Sequence, residues 1–393
     1  MATVGLALIG TGGRGQIYAD VVRQLPPGVA TWVAMCDRND EVLDGFCSRN
    51  RLGHVARVTS AAEVAQLEGV DATLVCTPDS AHREPAEAAF AAGRHCLVEK
   101  PVATRPGDAR AICLAARTSG RLLHLGFVLR YDPCARRLRQ LVADGAIGKP
   151  IACIAHEAVG WFHGSTYMRR WNRFRELSGD MLLHKGCHTL DIVNYIFDAF
   201  PRRVGASGGL EVFRPRRDGA ANCSACHRQS DCIYYTDQGP EYRERFYNTA
   251  GPQVLPDDIC VYNADKDTTD TVSLLADFDN GMRLSYTMTM VSPAGERRLV
   301  LIGTEGEIRC DMSTYRIEYT PLPDRDTEVI EVPRTEGGGH KLHDRELLLD
   351  FIERIGRGDD PEAGIRDAYM SGAVAFAALE SIETGAFVDV EPL

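Results

Sequence analysis

The sequence lacks long runs of charge of either sign. Its 44 lysines and arginines are outnumbered by 55 aspartates and glutamates, so the formal net charge is −11. The densest basic stretches, Arg136–Arg139 and Arg214–Arg217, are short and isolated. Because nucleic-acid phosphates are bound by clustered lysines and arginines, this pattern excludes a nucleic-acid partner.

Long apolar runs and an export signal are also missing. The first apolar stretch, Val4–Ile9, follows no basic residue and ends at a cluster of glycines. A signal peptide needs a basic start and a longer apolar core, and a membrane-spanning helix needs about 20 apolar residues. We therefore expect a cytoplasmic protein without a membrane partner.

The composition is that of a globular protein with a substantial core. Apolar residues make up 44% of the chain and charged residues 25%, which excludes disordered, collagen-like and coiled-coil proteins. A length of 393 residues is enough for two domains. Most of the 13 cysteines stand singly in apolar stretches, as expected for buried thiols in a reducing compartment.

Strand and helix patterns alternate along residues 1–130. Strands separated by helices of about ten residues indicate right-handed crossovers and a parallel sheet, so the expected class is α/β. The predicted strands are Val4–Ile9, Thr31–Cys36, Ala72–Cys76, His95–Val98 and Leu122–Val128, and the predicted helices are Gln16–Leu25, Pro85–Ala92 and Pro106–Ser119.

Residues 131–393 have a different pattern, typical of an α+β domain with an open, mostly antiparallel sheet. Asp279-Asn280-Gly281 is a strong hairpin signal between two apolar runs. The polar, cysteine-containing stretch at about 214–266 is too long for an ordinary connection and is predicted to be an insertion. The predicted strands are Pro150–Ala158, Val272–Phe278, Met282–Met290, Arg298–Ile302, Glu307–Asp311, Arg316–Thr320 and Glu328–Val332, and the predicted helices are Asp132–Asp144, Gly179–Phe197, Lys341–Ile355 and Ile365–Thr384.

A glycine-rich motif follows the first strand and opens a helix. Gly10, Thr11, Gly12, Gly13, Arg14 and Gly15 match G-x-G-x-x-G, which allows a dinucleotide pyrophosphate to approach the backbone at a helix N-terminus. The second strand ends at Asp37, where a carboxylate can accept hydrogen bonds from the adenosine ribose. This arrangement predicts a Rossmann domain that binds NAD. The neighbouring Arg38 leaves NADP open as a less favoured cofactor.

Three further segments resemble the glucose–fructose oxidoreductase/inositol dehydrogenase (Gfo/Idh/MocA) family. They are Cys76–His82, Gly93–Pro101 with its Glu-Lys-Pro string, and Gly126–Pro133. The resemblance implies that the chain is an NAD(P)-dependent dehydrogenase and that Lys100 handles the proton of a substrate hydroxyl. The other residues that it places in the cofactor site are Thr77, Pro78, His82, Glu99 and Arg130.

The family's second catalytic motif, Asp-x-Gly-x-His, has a counterpart in residues 184–188. His188 falls on the family's histidine, and imidazole titrates near neutral pH, as a group that takes a proton from a carbinol should. His184 replaces the family's aspartate. It is a catalytic candidate that can donate or accept a hydrogen bond or bind a metal. Lys185 adds a cation that either contacts an acidic group or points away.

Three cysteines lie close together inside the insertion. Cys223, Cys226 and Cys232 have the spacing C-x₂-C-x₅-C, and three thiolates with one more ligand can hold a structural zinc ion. His227 and Cys260 are candidates for the fourth ligand. The alternatives are unligated thiols or a disulfide.

Two enzymatic functions follow from these motifs. The first is NAD-dependent oxidation of a secondary alcohol in a sugar, cyclitol or glycoside. The alternative is a redox-neutral glycosidase or epimerase that oxidises a ring hydroxyl transiently and returns the hydride. The presence of both Lys100 and His188 argues against a non-catalytic nucleotide sensor. Because open antiparallel sheets commonly pair face to face, we expect a homo-oligomer, a dimer or a tetramer, that binds a small polyol or sugar.

Overall fold

The structure is a computed structural model that describes residues 2–235, 258–333 and 340–393, without the side chains of residues 340–342. Its elements form a six-stranded and a nine-stranded sheet. No helix in the described ranges is long and apolar enough to cross a membrane.

The first sheet is parallel and doubly wound, with strand order β3-β2-β1-β4-β5-β6. Its direction of winding reverses between β1 and β4, and ligands of such sheets bind at the strand C-termini beside this point. The strands are β1 Val4–Ile9, β2 Ala30–Cys36, β3 Ala56–Val58, β4 Ala72–Val75, β5 His95–Val98 and β6 Leu123–Leu125, and the helices are α1 Gly13–Arg23, α2 Asp40–Arg49, α3 Ala61–Gln66, α4 Arg83–Ala91 and α5 Pro106–Ser119.

The second sheet is mixed, with strand order β14-β13-β12-β11-β7-β10-β9-β8-β15. Its pairs are antiparallel except for β7 with β10. Its strands are β7 Pro150–Ala158, β8 Pro201–Gly209, β9 Thr271–Phe278, β10 Arg283–Thr289, β11 Glu296–Gly303, β12 Gly306–Asp311, β13 Arg316–Pro321, β14 Glu328–Glu331 and β15 Val388–Asp389, and its helices are α6 Pro133–Ala143, α7 Trp161–Tyr167, α8 Arg175–Ser178, α9 Cys187–Phe197, α10 His340–Arg357 and α11 Ile365–Thr384.

The predicted fold class is confirmed: a Rossmann-like parallel sheet is followed by an α+β part with a mostly antiparallel sheet. Helix α11 joins the two parts because it packs against both α5 and β8. The sequence analysis missed α2, α3, β3, α7, α8, β8 and β15. Strand β8 was missed because it contains Pro201 and three glycines, residues that are rare in strands. A Cβ on Gly205 would lie 2.6 Å from the ring of Phe387, so this glycine makes room for an aromatic side chain.

The helix predicted over Gly179–Phe197 is interrupted near its start. Residues Leu182–Gly186 form a π-helical turn that leads into α9. Asp180 precedes the turn with a φ of 123°. Its buried carboxylate holds this strained conformation by accepting hydrogen bonds from Thr269 N (2.9 Å) and Oγ1 (2.6 Å) and from Leu182 N (2.9 Å). Strained backbone and π-turns are both concentrated at functional sites.

The two faces of the nine-stranded sheet differ in how far they are covered. One face packs on α9 and α11. The other carries exposed apolar side chains at its centre, with Ile154 50% and Leu275 55% exposed. Both are cross-strand neighbours of Ser285, and Ile154 also pairs with Val300. An apolar strip of this kind is typical of a contact surface.

Candidate active site

The glycine-rich motif forms a tight turn between β1 and α1. Gly10 has a φ of 95°, and a Cβ there would lie 2.6 Å from the Cys76 carbonyl at the end of β4. A Cβ on Gly15 would lie 2.4 Å from Gly10 O. A Cβ on Gly13 would meet no atom of another described element within 4 Å, so packing does not require a glycine there. Because the first amides of a helix lack intrahelical acceptors, the start of α1 fits an anionic pyrophosphate.

Asp37 and Thr11 connect the ends of β1 and β2. Asp37 Oδ2 accepts from Thr11 N (3.0 Å) and Thr11 Oγ1 (2.8 Å), and Asp37 Oδ1 accepts from Asn39 N (3.1 Å). The carboxylate is partly exposed, and its remaining lone pairs fit ribose hydroxyls. The adjoining Arg38 is exposed.

Arg14 and Glu99, both predicted to bind the cofactor, are engaged with each other. Arg14 donates from Nε to Glu99 Oε1 (2.8 Å) and forms a bidentate pair with Asp344 of α10 (2.6 and 3.1 Å). Tyr18 also donates to Glu99 Oε1 (2.8 Å). These side chains fasten α1 to α10 and to the end of β5. Arg14 is therefore suited to hold the cofactor through its backbone amide rather than its guanidinium.

His82 connects the two segments that the family resemblance assigned to the nicotinamide side. It is fully buried, with Nε2 3.1 Å from Thr77 O and Nδ1 2.9 Å from Pro101 O. Its imidazole thus holds the Thr77-Pro78 turn against the Lys100-Pro101 segment. This geometry supports a positioning role for His82 and leaves neither ring nitrogen for a cofactor.

Lys100 reaches from the end of β5 to the π-turn before α9. Its Nζ donates to the main-chain oxygen of His184 (2.7 Å). Burial alone would lower the pKa of Lys100, but nearby Cys187, Asp79, Tyr167 and Glu99 outweigh it and raise the pKa. The ammonium is therefore protonated at neutral pH, at the place where the two sheets meet.

The ring of His184 lies between two polar partners. Its Nδ1 is 2.5 Å from Asp79 Oδ2, and its Nε2 is 3.1 Å from Asn172 Nδ2. Burial lowers the pKa of His184, and although Asp79 acts in the opposite direction, Lys100 and Lys185 add to the lowering. Both ring nitrogens are engaged by protein side chains, and the catalytic or metal-binding role of His184 stays a prediction.

His188 lies in the first turn of α9 and is largely buried, 6% exposed. Its ring packs edge-on against Phe127 beside β6 (6.4 Å between centroids). Lys100 contacts residue 184, and residues four apart share a helix face. His188 therefore lies one helical turn beyond this contact. The structure thus brings the two predicted proton-handling residues to the same end of α9.

Arg130, in the turn after β6, links α9 to the start of α11. Its guanidinium forms a bidentate pair with Asp191 of α9 (2.6 and 2.9 Å) and also donates to Asp367 (2.9 Å) and Glu362 O (2.5 Å). Burial raises the pKa of Asp191 to about 6, although Arg130 pulls it down. Arg130 is 2% exposed. Its donors are used inside the protein, and the contact of Arg130 with the cofactor stays a prediction.

A buried carboxylate lies beneath the start of α9. Glu157 on β7 accepts from Thr189 Oγ1 (2.5 Å), Tyr286 Oη (3.1 Å) and Arg297 (2.7 Å). Burial raises its pKa, but Arg297, Lys185 and the two hydroxyl donors outweigh this, so the net pKa is lowered. Lys185 thus lies near an acidic group, although within the described residues it forms no hydrogen bond or ion pair with one.

An arginine outside the insertion holds two of its segments. The fully buried Arg169 donates from Nε to Ile259 O (2.9 Å) and from Nη2 to Tyr234 O (2.5 Å). Backbone hydrogen bonds join Cys223 N to Asp258 O (2.6 Å) and Cys260 N to Ala221 O (2.8 Å). The insertion therefore packs against α7, whose last residue, Tyr167, touches His184 (5.3 Å between ring centroids).

The predicted zinc site is not supported. Where the chain is described, no three histidine, cysteine, aspartate or glutamate side chains are grouped so that they can hold a metal ion. Cys223, Cys226 and Cys232, with His227 and Cys260, lie in a segment that Arg169 and backbone bonds already fasten.

Sequence reasoning missed Asp79 and Asn172 as members of this site. Asp79 follows Thr77-Pro78 at the C-terminal end of β4, where ligands of doubly wound sheets bind, so its position was a usable signal. Asn172 lies in a short 3₁₀ turn, Trp171–Arg173, and had no motif. It is recognisable only from its contact with His184.

Comparisons with known proteins identify the relatives of this chain. Residues 4–127 match a profile described as the NAD-binding Rossmann fold of an oxidoreductase family, and residues 139–390 match its C-terminal alpha/beta domain. A putative oxidoreductase, YteT of Bacillus subtilis, is 28% identical over 77% of each chain. These matches confirm the resemblance seen in the sequence motifs.

Two further matches concern proteins with named substrates. A 2,7-anhydro-N-acetylneuraminate hydratase of Mediterraneibacter gnavus is 29% identical over 53% of each chain. A levoglucosan dehydrogenase, solved in complex with NADH and levoglucosan, superposes with a TM-score of 0.77 at 18% identity over 99% of each chain. The structural match establishes a common fold.

We predict that Arg169→Met loosens the insertion. The substitution leaves the carbonyls of Tyr234 and Ile259 without this donor, at about 1–3 kcal/mol for each buried unsatisfied group. Limited proteolysis should then cut within residues 214–266 faster than in the wild type, whereas chelator treatment of the wild type should not change the cutting rate. Arg170→Met is the matched control. Equal acceleration by chelator would restore the metal hypothesis.

Proposed function

The chain belongs to the Gfo/Idh/MocA family of NAD(P)-dependent oxidoreductases, and from this premise we propose that it oxidises a secondary alcohol of a sugar, cyclitol or glycoside with NAD. The observation that carries the proposal is the contact of Lys100 Nζ with the turn leading into α9 (2.7 Å). It holds the ammonium against residue 184, one helical turn before His188. The sugar substrate of the levoglucosan dehydrogenase supports the same class.

The side chains divide the proton chemistry between them. NAD, when bound, supplies the hydride acceptor for the carbinol carbon. The raised pKa of Lys100 keeps its amine protonated at neutral pH, so it donates a hydrogen bond to the hydroxyl oxygen as negative charge develops there. His188 is then the group that accepts the hydroxyl proton. The start of α1 and Asp37 hold the pyrophosphate and the adenosine ribose.

A panel of sugars, inositols and glycosides assayed with NAD⁺ at 340 nm tests this function. Formation of NADH with at least one polyol, and its absence without a polyol, supports the proposal. If no member of a broad panel yields NADH, net oxidation of this substrate class is wrong.

The hydratase relative favours a second candidate, a redox-neutral reaction with transient oxidation of a ring hydroxyl. Addition or removal of water is redox-neutral overall, and the hydratase shares 29% identity with this chain. A glycosidase or epimerase belongs to the same category. Turnover of a glycoside without net NADH, by protein that retains its nucleotide through purification, would favour this candidate.

We also propose that the open face of the nine-stranded sheet pairs with the same face of a second copy. Three of the four positions in the row Leu275, Ser285, Ile154 and Val300 are apolar, and the register places charged pairs on both sides of this row. Arg283 lies beside Asp277 (2.8 Å) on one side, and Arg298 lies near Asp311 (3.7 Å) on the other. Such a self-complementary patch suits a two-fold interface.

Cofactor choice depends on Asp37. We expect NAD⁺ to bind more tightly than NADP⁺, because a carboxylate accepts from ribose hydroxyls and repels a 2′-phosphate. Asp37→Ser, which removes the charge and keeps a small polar group, should reduce the difference in affinity between NAD⁺ and NADP⁺. Titration with each cofactor, followed by protein fluorescence, measures the two affinities, with Asp40→Ser as the control. Tighter binding of NADP⁺ to the wild type would mean that Arg38 dominates.

Lys100→Met and His188→Ala should slow the chemical step. Loss of a general acid or base costs ~10²–10⁴ in rate, so each variant should lose at least about 100-fold in kcat, with NAD⁺ affinity within about threefold of the wild type. The polyol found in the panel is the substrate for these measurements. Near-normal turnover by His188→Ala would show that this end of α9 is not part of the active site.

Oligomerisation should depend on the apolar strip. Ile154→Arg places a charge at its centre and should lower the molar mass found by light scattering after gel filtration. Arg309→Ser, on the same face but outside the apolar centre, is the control. An unchanged assembly in Ile154→Arg would exclude this face as the interface.

A further inference from the structure

The imidazole of His184 joins two turns, because it contacts Asp79 in one of them and Asn172 of the Trp171–Arg173 turn in the other. Asp79 follows β4 of the first sheet, whereas Asn172 and His184 belong to the part that carries the second. All three side chains are buried, at 5%, 2% and 8% exposure. The Asp79–His184–Asn172 triad therefore crosses from one sheet system to the other at the active site.

The hydrogen-bond partners define the protonation of the ring. A carboxylate only accepts, so Asp79 requires the proton on Nδ1. Asn172 presents Nδ2, a donor, to Nε2, which must then carry a lone pair. The ring is thus the neutral Nδ1–H tautomer, in agreement with its lowered pKa. Asn172 Oδ1 is buried and has no hydrogen-bond partner among the described residues.

The aromatic neighbours hold the ring in place. Tyr167 and Trp171 both contact His184 edge-on, with ring centroids 5.3 and 5.6 Å away. A ring confined in this way, with both nitrogens engaged, does not turn toward a substrate without breaking two hydrogen bonds. Its effect on catalysis must pass through another group.

That group is Lys100, because its ammonium donates to the main-chain oxygen of His184 (2.7 Å). We infer that Asp79 and His184 are positioning residues: the Asp79–His184–Asn172 triad fixes the π-turn, and the turn fixes Lys100. The inference rests on the role proposed for Lys100. Asp79 contributes in a second way, since its negative charge faces the ammonium and favours the protonated form.

The triad also explains why a histidine suits position 184 in this chain. An aspartate there would place a second carboxylate beside Asp79, and two neighbouring carboxylates repel and raise one pKa. His184 supplies a donor where Asp79 needs one. Position 184 is therefore matched to position 79, and restoring the family's aspartate at 184 alone should be harmful.

Trace acetylation with acetic anhydride from pH 6 to 11 measures the reactivity of the Lys100 amine, which depends on its pKa. The labelling of Lys100 is measured by mass spectrometry relative to the exposed Lys149. In His184→Asn the amide nitrogen takes the place of Nδ1, so the labelling of Lys100 should stay within twofold of the wild type. In His184→Gln the amide nitrogen takes the place of Nε2, so Asp79 loses its donor and turns to Lys100. The pKa of Lys100 should then rise by about half a unit, and its labelling should slow at least about threefold.

Asp79→Asn and a surface control complete the series. Removing the charge of Asp79 should speed the labelling of Lys100 about tenfold at fixed pH, equivalent to one pKa unit. His54→Asn, at an exposed position of the first part, should label like the wild type. Fluorescence titration with NAD⁺ verifies that each variant is folded. If His184→Gln or Asp79→Asn leaves Lys100 unchanged, or if His184→Asn shifts it as His184→Gln does, the inference is wrong.

Thermal unfolding at pH 8 provides a second, independent comparison. His184→Asp should unfold at a lower temperature than His184→Asn, and the double variant Asp79→Asn/His184→Asp should recover the loss because only one carboxylate remains. Equal unfolding temperatures for the two single variants would contradict the match between positions 79 and 184. These readouts do not need a substrate, so they stand even if no alcohol proves to be oxidised.

Discussion

The contact of Lys100 with the main-chain oxygen of His184 is the interaction on which the site depends. It joins the carboxyl edge of a nucleotide-binding sheet to the π-turn that begins α9. A parallel sheet alone offers the helix N-terminus and Asp37 to a dinucleotide, but it does not carry the second residue of the proposed proton-handling pair. Helix α9, which packs on the second sheet, carries His188, and the turn at residues 182–186 lies between this helix and Lys100.

Much of the fold was predictable because its signals are local. Strand β1, the glycine turn and Asp37 follow one another within 40 residues, and each step has its own residue pattern. The roles of Arg14 and Arg130 were not predictable in this way. Their partners, Asp344 and Asp191, lie far along the chain, and nothing in the local pattern distinguishes a cofactor contact from a buried ion pair.

The same limit applies to the cysteine cluster, for which the described structure gives no support for zinc. The spacing of Cys223, Cys226 and Cys232 is compatible with a metal, but spacing does not reveal what else stabilises the segment. Arg169 satisfies two backbone carbonyls of the insertion, and a buried arginine provides up to five donors without a metal ion. The insertion then contributes to the site indirectly, by supporting α7 and Tyr167 next to His184.

The use of Arg14 inside the protein also affects how the cofactor is held. Its guanidinium pairs with Glu99 and Asp344, which leaves the backbone amides of α1 and the positive end of the helix dipole for the pyrophosphate of the proposed cofactor. Backbone donors have fixed positions and no side-chain rotamers to order, so this recognition depends on geometry more than on charge. The tight glycine turn is therefore essential: a Cβ at Gly10 would collide with the end of β4 and move the amides that bind the anion. Charged side chains lie at the other end of the candidate site, where Lys100 contacts the main chain of His184 and Asp79 contacts its ring, and where the proposed reaction requires a proton to move.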